Sequence, residues 1–367
     1  MVLGLCLCVV FAGKVVAAPQ TVTDERGFEK KITEADVLFQ TGTQYMDAGE
    51  YAKAAEAFEK VTMLDNSRLD AFHRLCESYS KLGMYDKASA AYVRACEAHP
   101  DDLRLLSNLG YYQVRAKEYE EAKTTYIAIV EAKPDDYEAH LRLGFIYKGL
   151  GDKETALSYY EKAIKLDPND ASTMGSVAQL YEENGQKDDA IRMYKKAIAA
   201  SSDSDDANKY KSAIGKMYIK QEKFKESARI YEALVVAEPT KYSHHFNLGI
   251  SYMKTKMPAE AIPEFAQAVE LKPEFSDAYL YLAMSYNDVG KPSQAIETIQ
   301  TGLQVSEKTA GLYCAWGKSL EKLSRFDEAI DKFANAVDDR QWGNYAKKQI
   351  QRQEDLKKRA DLIRQQG

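Results

Sequence analysis

The chain has 367 residues, 50 Lys and Arg against 56 Asp and Glu for a net charge of −6, and is 45% hydrophobic and 29% charged. That balance excludes a disordered, collagen-like or disulfide-dense chain, and the mild acidity argues against a nucleic-acid binder, which needs a basic footprint. No apolar run approaches the roughly 20 residues of a spanning helix, which excludes a multi-span membrane protein.

The first element is an apolar stretch, VLGLCLCVVFAG, followed by Lys14 and the small residues of VVAA. A short apolar core with a small-residue exit reads as a secretory signal over residues 1–18, and hence as export to the periplasm or beyond. Ala17 is the better cut point, because Pro19 follows Ala18. The alternative is a buried helix end of a cytosolic chain, since no basic residue precedes the core. Leu5 and Leu7 stand where a lipid-anchoring cysteine needs small residues, so Cys6 and Cys8 are not read as anchors. Residues 19–34 are read as a short linker. No Asn-x-Ser/Thr acceptor occurs, so nothing points to N-glycosylation.

From Ala35 to Gly343 the chain repeats itself every 34 residues. Nine units begin at Ala35, Leu69, Leu103, Tyr137 and Ala171 and, after three extra residues, at Asn208, Tyr242, Ser276 and Ala310. The eighth residue is always small, as in Gly42, Cys76, Gly144 and Ala283. The twentieth is Ala in eight units and Ser227 in the sixth. The twenty-fourth is aromatic in all but the eighth, where Ile299 stands. Seven units carry Tyr at the eleventh place, which accounts for an excess of 25 Tyr over 12 Phe and 2 Trp.

Residues four, seven, eight and eleven form one helical stripe, and twenty, twenty-four and twenty-seven form another, so each unit is a pair of helices. Turns such as Lys81-Leu82-Gly83 and Gly149-Leu150-Gly151 divide them. Pro100, Pro134, Pro168, Pro239 and Pro273 end second helices; Ser202, Glu307 and Gln341 stand at that place in three other units. Small residues at places eight and twenty let two backbones approach, and the ring at twenty-four is expected to fill space against the following unit. One unit cannot bury its apolar faces alone, so the units must stack.

In these residues the chain resembles the tetratricopeptide repeat family over about five-sixths of its length. The resemblance implies an all-α superhelical solenoid whose first helices line a concave face. Residues 344–367 read as a capping helix with Ala346, Ile350, Leu356, Ala360 and Ile363 on one side, and Trp342 at the junction. Seven Lys or Arg against three Asp or Glu make this segment basic, so a helix lying on anionic lipid is the competing reading.

Little in the chain suggests catalysis. No phosphate loop, zinc-protease histidine pair, nucleophile elbow or Cys-x-x-Cys occurs, and neither an enzyme nor a cofactor or small-molecule substrate is expected. His73-x-x-Cys76 and Cys96-x-x-His99 have the residue types of a zinc site. Cys76 sits at the small-residue contact place, however, so buried packing is the favoured reading; a Cys76–Cys96 disulfide is a lesser alternative in an exported chain.

The groove is the better candidate. Places two, five, nine and thirteen of first helices oppose the packing stripe and carry Ser107, Tyr111, Leu141 and Phe145, then Phe246, Ile250, Leu280 and Met284, with Lys209, Lys216, Lys220 and Lys254 between. Apolar residues facing away from a core suit a binding groove; the alternative is that they pack between adjacent first helices. The acidic insertion Ser201–Asp206 is expected to offset the lysines. Some members of the family clamp a C-terminal carboxylate. Asn108 and Arg142 match fragments of that clamp, but Glu77 and Glu138 stand where Asn and a base belong, so tail binding is not expected. The expected function is a non-catalytic scaffold that binds a protein or extended peptide. The alternative is a structural or accessory subunit of an envelope or polysaccharide assembly.

Overall fold

The computed structural model describes residues 21–23, 29–31, 33–305, 307 and 309–366. The apolar stretch read as a signal, with Cys6 and Cys8, lies outside them. Where a plain linker was expected, β1 (Thr21–Thr23) and β2 (Glu29–Lys31) pair antiparallel, with Thr21 opposite Lys31.

All else in regular structure among the described residues is helix. The first half of the chain, ending at Asp167, holds α1 (Glu34–Asp47), α2 (Tyr51–Leu64), α3 (Leu69–Lys81), α4 (Tyr85–Ala98), α5 (Leu103–Ala116), α6 (Tyr119–Ala132), α7 (Tyr137–Gly149) and α8 (Lys153–Leu166). The second half begins at Pro168. It holds α9 (Ala171–Glu183), α10 (Lys187–Ala200), α11 (Ser204–Lys220), α12 (Phe224–Ala237), α13 (Tyr242–Lys254), α14 (Pro258–Leu271), α15 (Ser276–Asp288), α16 (Pro292–Val305), α17 (Ala310–Lys322), α18 (Phe326–Ala334) and α19 (Gly343–Gln366). Within each half every helix packs on the next in chain order, the arrangement of an α-solenoid. No described helix is long and apolar enough to cross a membrane.

Local chemistry sets the helix ends. Asp102, Asp136 and Asp170 close their repeats as N-caps of the next first helix, the Asp136 carboxylate accepting from the Ala139 amide at 2.9 Å. The fifteenth residue of every repeat is left-handed: Gly at five places, but Lys117, Glu222, Lys256 and Ser324 at the other four. The three extra residues of the sixth repeat extend α11 to 17 residues by one N-terminal turn, with Asp203 capping it through the Asp205 amide.

The contact that organises each repeat goes further than the expectation. The ring at place twenty-four meets the following repeat, as expected, with Tyr92 stacked on Tyr112 at 5.4 Å and Phe265 on Tyr281 at 5.7 Å; it also lies over the small residue at place eight of its own repeat. A Cβ added to Gly144 would stand 2.6 Å from the Tyr160 ring; at Gly110 and Gly317 it would meet Tyr126 and Phe333 equally closely. Hydroxyls then tie the tyrosines to place five of the same repeat. Tyr231 donates to the Ser212 carbonyl at 3.1 Å, and the Tyr92 hydroxyl lies 2.7 Å from His73 Nδ1. Tyrosines at place eleven bridge repeats: Tyr79 donates to Glu59 at 2.5 Å and Tyr252 to Glu232 at 3.0 Å.

The cap also differs from a simple apolar stripe. Ala346 is buried and Ile350, Leu356 and Ala360 are half-buried; of the Ile363 side chain, which lies outside the described ones, nothing is placed. At the centre of the seam is Gln353, fully buried, donating to Glu321 at 2.5 Å. Arg352 pairs with Glu321 at 3.1 Å and Lys357 with Asp327 at 2.6 Å. The basic character of α19 is thus spent partly on two carboxylates of the last repeat.

Buried His244 gives the fold a pH response. Its Nε2 lies 2.8 Å from the Glu238 carboxylate and its Nδ1 has no hydrogen-bond partner among the described residues, as suits a neutral imidazole protonated on Nε2. Burial lowers its pKa, outweighing the opposite pull of Glu238. The unfolded chain therefore takes up this proton first as pH falls.

Three outcomes are expected. Gly144→Leu should cost about 1–3 kcal/mol by overpacking. Combining it with Tyr160→Ala should destabilise by less than the sum of the single changes, whereas strict additivity in denaturant titrations would show that the two do not touch. Stability supplied by neutral His244 is intact above its ordinary value of 6.5 and is lost as pH falls below it. The melting temperature should therefore drop between pH 7.5 and 5.5, and His244→Gln should flatten that drop. Deleting residues 344–367 should lower the melting temperature and solubility by baring Phe333, with weak binding to anionic vesicles in either form; strong vesicle binding lost on deletion would assign the helix to lipid instead.

Candidate partner-binding surface

Packing turns places four, seven, eight and eleven of each first helix inward and leaves two, five, nine and thirteen for another surface. In the first half these places expose large rings. Tyr111 is 37% exposed, edge-on to Tyr112 at 5.1 Å with the Arg142 guanidinium 6.0 Å from its ring centre. Phe145, on the next first helix, is 45% exposed and meets Tyr119 edge-on. Leu141 and Ser107 are half-buried, and the Ser107 carbonyl receives the Tyr126 hydroxyl. Arg142 is also bound to Glu138, its Nη2 at 2.6 Å, so this fragment of a carboxylate clamp is occupied within its own helix.

In the second half the apolar candidates divide. Ile250 is a correction: it is only 9% exposed and packs with Phe265 and Leu282, because neighbouring first helices close over it. Phe246 is half-buried among Phe275 at 4.7 Å, Phe265 and Tyr281, both at 5.7 Å. Leu280 and Met284 are half-buried and open onto a recess. Lys209, Lys216, Lys220 and Lys254 are exposed. Lys220 pairs with Glu182 at 2.9 Å, while Asp203 of the acidic insertion caps α11 instead.

The recess holds about 240 Å³ and is bounded by α15, α17 and the head of α19. Leu280, Met284 and Ala315 line it beside Trp342 and Tyr345, with Lys318, Lys322 and Asp288 also in its lining. Gly311 matters here: a Cβ would stand 3.1 Å from Leu280 and 3.2 Å from Trp342, so glycine lets the indole close this end. Trp342 was legible only as a junction residue. Its place in a lining depends on α19 packing on α18 and bonding to α17, which repeat periodicity does not encode.

The histidines and cysteines of the second repeat do not converge. His73 meets Tyr92, Cys76 lies 3.4 Å from the Ala88 carbonyl, His99 meets the Ser67 carbonyl, and Cys76 and Cys96 are unbridged. Among the described residues no group of three or more His, Cys, Asp and Glu is placed to hold a metal. Burial pushes the Cys76 thiol up, that of Cys96 to about 11 and that of Cys314 to about 12, so all three stay protonated and weakly nucleophilic at neutral pH.

Models of tetratricopeptide repeats match the chain at residues 45–110, 103–136, 137–170, 159–192 and, in three overlapping windows, 176–304. Among solved structures it is similar to YrrB, described as "a TPR protein with an unusual peptide-binding site", at 19% identity and a TM-score of 0.44 over 51% of this chain and 95% of that one. It is also similar to MamA at 21% identity and a TM-score of 0.41, over 45% of this chain and 91% of that one. No curated protein gives a significant match. The matched repeats run without a gap from residue 45 to 304, and the chain belongs to the tetratricopeptide repeat family.

Proposed function

We propose that the chain is a non-catalytic scaffold which holds a partner protein or an extended peptide on the face formed by its first helices. The observation that carries this reading is the exposure of Tyr111 and Phe145 at places freed from repeat packing. Exposed aromatic rings are poor solvent neighbours and strong contributors to interfaces. The protonated thiols and the dispersed histidines favour presentation of a surface over chemistry. Location in the cell envelope rests on the N-terminal apolar stretch alone, and fractionation with N-terminal sequencing of the mature chain tests it.

A second reading has its own support. Val236 is 81% exposed, Met63 69% and Leu64 54%, all on second helices, where a subunit of a larger assembly would make its contacts. Paired variants separate the two. Tyr111→Ser with Phe145→Glu should abolish capture of the partner by the immobilised chain and leave its sedimentation unchanged. Met63→Glu with Val236→Glu should leave capture intact. The reverse pattern would make the chain an assembly subunit.

A further inference from the structure

We propose, resting on the reading just given, that the recess between α15, α17 and the head of α19 is the anchor pocket for an acidic linear peptide. One large apolar side chain of the peptide enters the recess, and its carboxylates follow a line of lysines across the first helices of the second half.

Size and lining define the anchor. At about 240 Å³ the recess falls below the roughly 300–1,000 Å³ of sites for drug-sized ligands, and suits a single side chain. Leu280, Met284 and Ala315 offer an aliphatic surface and Trp342 an aromatic one. A partly buried indole beside such a pocket is typical of the few residues that carry most of an interface's energy.

Charge defines the rest of the occupant. Places nine and thirteen of repeats six to nine hold Lys216, Lys220, Lys254, Lys318 and Lys322, against Asp288 as the one acid. Lys216, Lys254 and Lys322 are exposed and have no ion pair among the described residues; Lys318 leans on Glu321 and Lys220 on Glu182. A row of cations on a chain of net charge −6 is a local reversal of sign, which steers and orients an anionic partner. The first helices touch in sequence, α11 with α13, α13 with α15 and α15 with α17. Packed helices lie about 8–10 Å apart and an extended chain advances about 3.3 Å per residue, so the peptide moves on by about three residues per helix. Acidic residues are therefore expected beside the anchor, facing Lys322 on α17, and again about six residues along, facing Lys254 on α13, and about nine along, facing Lys216 and Lys220 on α11.

Selection of random displayed dodecapeptides on the full-length chain tests this. Enriched peptides should pair a Phe, Leu or Trp with an excess of Asp and Glu on one flank. The chain has two tryptophans, so in a Trp316→Phe variant the fluorescence of Trp342 should report the binding of an enriched peptide. Met284→Glu, and separately Lys254→Glu with Lys322→Glu, should each raise Kd by about tenfold or more with melting temperatures unchanged, and added salt should weaken binding. Enriched peptides without acidic bias, or indifferent to these substitutions, would overturn the inference and leave the first-helix reading standing. Failure to enrich any peptide would overturn it too, and loss of partner capture in the Tyr111 and Phe145 variants would then still support the broader reading. Self-association abolished by Met284→Glu would assign the recess to a second copy of the chain.

Discussion

The structure depends on one contact made again and again: a ring from the second helix of a repeat lying directly over a residue with little or no side chain on the first. Where Gly42 meets Phe58, or Gly249 meets Phe265, the added Cβ would stand within 2.8 Å of the ring. Each such ring is buried, and burying a large apolar side chain contributes about 1.5–3 kcal/mol. The contact sets how closely the two helices of a pair approach, and so which residues of the first helix are left to face elsewhere. Where the ring carries a hydroxyl, as in Tyr126 and Tyr231, it ends on the backbone of place five. The phenol is thereby satisfied, and the groove face is tied to the core.

The freed places do not all become a binding surface. Phe145 remains open while Ile250, at the same place nine, is covered, because the covering depends on the bulk of neighbouring first helices rather than on the residue itself. In the second half Phe246 leans into a cluster of Phe265, Phe275 and Tyr281. That leaves the lysine line and the recess at Met284 as its accessible features. The capping helix has a corresponding double role. Its seam is built on Gln353, Arg352 and the shielded Glu321, while Trp342 and Tyr345 at its head furnish part of the recess lining.

Much of the fold was legible because its signals are local and repeated. Seven of nine first helices start where the 34-residue period places them, and the prolines follow second helices such as α4 and α6 by two residues. The departures arise where a longer-range contact overrides the period. The insertion before Asn208 becomes an extra helical turn because Asp203 can cap it. Gln353, outside the apolar side read from the sequence, is buried in the seam because Glu321 offers it an acceptor. The candidate surface was legible as a set of places but not as a set of exposures, since the period gives a residue's direction and not what comes to cover it.

The central claim is that partners meet the first helices rather than the second. Site-specific photo-crosslinking measures this directly, with a benzophenone side chain placed at Phe145 or Met284 on first helices and at Met63 or Val236 on second helices. The account predicts partner adducts from the first pair and none from the second. Adducts from Met63 and Val236, with silence at Phe145 and Met284, would contradict it.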